Sequence, residues 1–165
     1  MTTLGRPSAD YAGDHGEPDP TLRTFLARSH EGRDDYLRAV AALCGARLLL
    51  PIVARGDDGP ERHAEMVALT LTTADGRVGL PVFTGLDALS AWRSEARPVP
   101  CRLDEVAASA LDQGAGAILI DLAGPAVLVI ETDLIGELAR RRRLVHLDDG
   151  GWGWLFAAPD SPASG

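Results

Sequence analysis

The sequence predicts an α+β domain: a mixed, largely antiparallel β-sheet with helices packed on it. Three observations lead there. Helical spacing fills the stretch from Asp19 to Cys44. An alternating run from Glu65 to Thr73 then doubles back at Asp75-Gly76. The later apolar runs and helical patterns lack the strict strand–helix alternation of a doubly wound parallel sheet.

Each element has a local cause. Asp19 can cap free amides and Pro20 suits a first helical position, so a helix starts there, with Leu22, Phe25 and Leu26 on one face. A second helix begins near Asp34, carries Tyr36, Leu37, Val40, Leu43 and Cys44, and ends at Gly45. Arg47 to Ala54 is a short apolar run, read as a strand covered on both faces with Pro51 at an edge or bulge. In Glu65 to Thr73, Val67, Leu69 and Leu71 alternate with small polar or apolar residues, as in a half-buried strand. Asp75-Gly76 is a hairpin turn, from which Val78 to Phe83 returns antiparallel.

Thr84 is placed to cap the next helix, with Asp87 three residues on and Leu86, Leu89 and Trp92 facing the sheet. Val99 to Arg102 reads as a short strand. A helix opens at Asp104 with Leu103, Ala107, Ala110 and Leu111 clustered, and Gly114 ends it. Ala117 to Asp121 and Ala126 to Glu131 are strands joined by Ala123-Gly124-Pro125. Thr132 or Asp133 starts a last helix, and Leu144 to Leu147 and Trp152 to Ala157 add edge strands. Residues 1–18, polar and aperiodic, read as a disordered arm dispensable for folding; 19–158 form one domain; 159–165 are a flexible tail.

Composition narrows the function. A chain of 165 residues is the size of one domain that needs no metal or disulfide staple. Its net charge of -8 opposes nucleic acid and anionic membrane as partners, since both are polyanions. No apolar run approaches the roughly 20 residues of a membrane span, and Met1 to Arg6 opens no apolar signal segment, so the expected location is the cytoplasm. Every basic residue is Arg, which together with the abundant Ala, Gly and Asp points to a GC-rich coding bias of actinobacterial type. Cys44 and Cys101 form no close metal or redox pair and read as buried thiols.

Three segments carry a resemblance. Leu80 to Trp92 (LPVFTGLDALSAW) resembles the strand–turn–helix of the SseB N-terminal domain. Ala46 to Ala54 (ARLLLPIVA) is similar to the strand after that family's first helix, and Gly114 to Pro125 (GAGAILIDLAGP) to its later strand and turn. The resemblance spans roughly residues 21–142. It implies a bacterial α+β domain whose family takes its name from an enhanced serine sensitivity phenotype, with no catalytic residues to carry across.

Five candidate sites stand beside plainer readings. Thr84 and Gly85 lie where a strand meets a helix start, which suits an anion; the plain reading is a capped helix. His63 and Glu65, two apart on a strand, could share a face toward a metal or act as an acid–base pair, yet no third ligand is in register. Arg140, Arg141, Arg142 and Arg143 could hold phosphate or an acidic partner, or simply complement a helix C-terminus. Trp152 and Trp154, separated by one glycine, put both rings on one side of a strand, as an interface or as a core cap.

Cys101, just before a helix, is the candidate nucleophile of a rhodanese-like sulfur-transfer enzyme, but no base pairs with it in sequence. No nucleophile elbow, Walker loop or dinucleotide fingerprint is present. The reading that follows is a noncatalytic interaction or regulatory module with a protein partner or self-association, without cofactor or metal.

Overall fold

The computed structural model describes residues 11–55 and 65–156. The His63 candidate falls outside them. Asp19 accepts the amides of Thr21 and Leu22, and Pro20 takes the first position of α1 (Pro20–Arg28). α2 (Arg33–Cys44) packs on α1 and closes at Gly45. Then follow β1 (Leu48–Arg55), β2 (Glu65–Ala68), β3 (Leu71–Thr72), β4 (Val78–Val82), α3 (Leu86–Trp92), β5 (Arg97–Cys101) and α4 (Leu103–Asp112). The chain continues through β6 (Ala117–Ile120), β7 (Leu128–Glu131), α5 (Thr132–Ala139), β8 (Arg142–His146) and β9 (Trp152–Phe156).

The strands form three sheets, ordered β2–β1–β5, β3–β4–β6–β7 and β8–β9. Among the described residues only β4 and β6 run parallel; the other pairings are antiparallel. The architecture is α+β. The Asp75-Gly76 turn forms as the sequence predicts, with Gly76 at φ +87° and its amide on the Thr73 carbonyl.

Three elements differ from expectation. The alternating run Glu65–Thr73 breaks: β2 pairs with β1 and β3 with β4, so the strand turns a corner between sheets. Pro51 sits in the central strand of its sheet, not at an edge. Leu49 exchanges both backbone bonds with Phe83, at 2.7 and 2.9 Å, and the β2 ladder begins at Ile52. The missing proline amide falls between the Phe83 bridge and the β2 ladder, where Pro51 offers only its carbonyl, to the Leu69 amide at 3.1 Å. The last two strands extend no larger sheet; they form their own hairpin, laid against α2 and α5.

The main core lies between α2, α4, α5 and the β4–β6–β7 face, with Leu43, Leu80, Ile118, Ile120 and Ile130 almost fully enclosed. A smaller cluster of Leu49, Phe83, Ala88, Leu89 and Ala96 sits under α3. Leu86 is exposed, and Trp92 is half-buried with its ring centroid 5.4 Å from Phe83. Phe25 and Leu111 also reach solvent, because a short helix buries only one stripe.

Candidate functional site

The parallel pair β4–β6 ends in a compact polar cluster. The chain turns sharply after β6, with Asp121 at φ +50°, a conformation Asp tolerates better than most residues. The turn points its carboxylate inward, fully buried, at the end of β4. There it accepts the Thr84 amide at 2.8 Å and the Thr84 hydroxyl at 2.6 Å. Arg23 of α1 donates from Nε to the same hydroxyl at 2.9 Å and lies 3.5 Å from Asp121. Its other nitrogens grip Asp87 at 2.7 and 3.0 Å. Burial pushes the Asp121 carboxyl above its ordinary value, against the pull of Thr84 and Arg23.

Arg47, at the start of β1, closes the other side. It donates to the Thr84 carbonyl at 2.9 Å, to the Asp14 carboxylate at 2.6 and 3.2 Å, and to the Glu17 carbonyl at 2.6 Å. Leu86 donates its amide to the Gly16 carbonyl. Residues 11–18, the described part of the arm expected to be disordered, therefore lie as a strap across the strand ends; residues 1–10 fall outside the described part.

This geometry leaves no room for an anion at Thr84 and Gly85. The helix cap is Gly85 rather than Thr84, whose hydroxyl is turned to Asp121. A side chain at Gly85 would meet Asp87 Oδ1 at 2.6 Å and Arg23 at 2.9 Å. The protein's own Asp87 carboxylate fills the place, and α3 is only seven residues long. Among the described residues no buried side-chain nitrogen or oxygen lacks a partner. The cluster holds strand ends, helix and strap together; it offers no unsatisfied group to a ligand.

The hairpin is different. Trp152 and Trp154 do share a face, and both pack on the core. Trp152 donates its indole N–H to Asp34 of α2 at 2.8 Å and meets His146 edge-on. The residues left outside are Leu155 and Phe156, 56% and 67% exposed. The arginine run is split by Arg141 at φ +63°, so Arg140 caps α5 while Arg142 and Arg143 enter β8. Arg140 and Arg142 pair with Glu137, Arg141 lies 3.8 Å from Asp104, and Arg142 stacks 4.5 Å from the Phe156 ring. Arg143 stands opposite Leu155.

The profile of the SseB protein N-terminal domain matches residues 22–137. The chain belongs to this family. No curated protein and no solved structure matches it. The matched SseB domain runs from α1 into α5 and includes Arg23, Thr84 and Asp121; the strap and the β8–β9 hairpin lie outside the match.

Within the SseB domain, Cys101 is a poor nucleophile. It ends β5 almost fully buried, its thiol 3.6 Å from the Leu48 carbonyl. Burial, reinforced by the charge of Glu105, pushes its pKa up to about 12. A reactive thiolate needs the opposite surroundings: exposure and neighbouring positive charge. Cys44 is also buried, and neither cysteine is in a disulfide. Among the described residues no group of three or more His, Cys, Asp or Glu could hold a metal ion, and no helix is long and apolar enough to cross a membrane. Sequence reasoning missed Arg23, Arg47, Asp14 and Asp121; the only hint was two arginines inside otherwise apolar segments.

Proposed function

We propose that this SseB-family chain is a noncatalytic protein-interaction or regulatory module whose contact surface is the exposed end and edge of the β8–β9 hairpin. One observation carries the reading: at the end of β9 Leu155 is exposed on the outer face, and Phe156, on the face of Trp152 and Trp154 but beyond the core, is exposed with Arg142 over its ring. Exposed apolar side chains with arginine are the composition of interface cores. Trp152 and Trp154 serve this surface indirectly, anchoring the hairpin to α2. The partner is a protein rather than nucleic acid or membrane, in keeping with the acidic chain. The reduced, buried state of both thiols fits a cytoplasmic setting.

The reading is tested by placing a photo-crosslinking phenylalanine analogue at Phe156 and, as control, at the exposed Ala91 of α3. Discrete protein adducts from position 156 and none from position 91 are expected. Equal, diffuse labelling from both positions overturns the assignment of the surface.

A further inference from the structure

We infer that the partner on this surface is a second copy of the chain, joined edge to edge through β9 about a two-fold axis. The inference rests on the interaction reading above and names its partner. The first argument is backbone. Leu147 donates its amide to the Gly151 carbonyl at 2.8 Å, closing the turn. Antiparallel pairs alternate between bonded and unbonded. Val145–Gly153 and Arg143–Leu155 are then the bonded pairs, and Trp152, Trp154 and Phe156 turn their N–H and C=O away from β8. Among the described residues no strand lies on that side and none bonds to those groups. The outer edge of β8 is covered, with the Leu144 backbone against the Cys44 thiol of α2. Among the described residues β9 is the open edge.

The second argument is self-complementarity. With two antiparallel β9 strands centred on Trp154, each Trp152 faces Phe156 of the other copy, and all three outward residues find bonded partners. Leu155 then lies opposite Gly153 of the second copy. That glycine has no side chain, and the Leu147 methyl groups lie 3.3 Å from where a Cβ would be, so Leu155 meets an apolar floor. Leu147 is itself 40% exposed.

The third argument is charge. The Phe156 end of the hairpin carries Arg142 and Arg143, and the turn at the other end carries Asp148 and Asp149, both exposed. Antiparallel pairing sets the basic end of each copy beside the acidic turn of the other. This local match offsets the repulsion between two chains of net charge -8. The contact is small, under about 1,200 Å² for five strand residues a side, so the dimer is a weak one.

Sedimentation equilibrium tests this on the full chain between about 10 and 500 µM, the range in which an interface of that size associates. The average mass is expected to rise with concentration toward twice the monomer. Leu155→Asp, and Phe156→Pro, which removes an outward amide without touching the β8 ladder, should hold the chain at monomer mass with an unchanged melting curve. Arg143→Asp and Asp148→Arg should each weaken self-association at least tenfold, and mixing the two should restore it as a heterodimer. A wild type that stays monomeric over the whole range overturns the dimer, as does a mixture no stronger than either variant alone. Crosslinks from position 156 to other proteins, with a monomeric wild type, would overturn the dimer and leave the interaction reading standing.

Discussion

Asp121 takes both hydrogen bonds that Thr84 can give, one from the backbone amide and one from the hydroxyl, and so ties the end of β6 to the end of β4 across 37 residues of sequence. Two parallel strands that share no direct turn are locked at one end by a single pair of side-chain contacts. The pair is buried, and Arg23 fixes it from the side.

Asp121→Ala should destabilise by about 2–4 kcal/mol, since it strands a buried amide and puts a less tolerant residue at positive φ. Asp121→Asn keeps an acceptor for the amide and tolerates the turn, so it should cost much less. The pH dependence has a definite sign. The folded carboxyl sits above 3.8, so the folded chain holds that proton more tightly than the unfolded chain. Its contribution is full below 3.8 and lost as the pH rises through the folded value. The stability gap between wild type and Asp121→Asn should therefore narrow as the pH rises above 3.8 through the folded value, measured by urea unfolding. A gap that widens contradicts the assignment.

Removing residues 1–18 should lower the melting temperature by about 2–8 °C, because Arg47 loses Asp14 and Glu17 and Leu86 loses its Gly16 acceptor. Burial raises the Asp14 carboxyl, but the Gly16 amide and Arg47 outweigh it and hold the group below 3.8. Strap stability is present above 3.8 and lost as pH falls through the folded value, so the truncation effect should shrink in acid. Identical melting curves at neutral pH would make the strap inert.

Trp152→Ala with Trp154→Ala should destabilise the chain by about 3 kcal/mol or more, even though an interface lies next to them. The rings pack on the core, and Trp152 also bonds Asp34. Calorimetry that finds the double variant as stable as wild type would place both rings outside the core.

Cys101 should resist thiol reagents in the folded chain at pH 8 and react only on unfolding. Its thiol ionises near 12 when folded, against 9.0 when free. The stability it contributes is complete below pH 9 and lost as the pH climbs through the folded value, because only the unfolded chain gains from ionising in between. Rapid labelling of native protein at pH 8 would show an accessible thiolate.

Features set by neighbours in sequence were legible. Asp19-Pro20 and Asp75-Gly76 act within one turn of the chain and do what their chemistry predicts, while Gly45 ends its helix where expected but at φ -100°, without the left-handed turn that favours glycine. Features set by distant partners were not. Thr84 has one hydroxyl and two uses for it, capping a helix or bonding Asp121, and the second partner lies far along the chain. The alternation of Trp152 and Trp154 placed both rings on one face, but nothing local said whether that face met α2 or solvent. Glu65–Thr73 has the period of one strand; its break reflects two sheets competing for it.

The Leu49–Phe83 pair bridges the β2–β1–β5 sheet to the β3–β4–β6–β7 sheet with two backbone bonds, beside the corner between β2 and β3, where Leu69 donates its amide to the Pro51 carbonyl. Both members are buried, and Phe83 immediately precedes Thr84. Opening either sheet therefore pulls on the buried cluster at the strand ends. The two sheets cannot melt one after the other without exposing Phe83 to water, so the whole domain should open to solvent in a single event, with the amides of Leu49 and Phe83 exchanging at the slow rate of global unfolding.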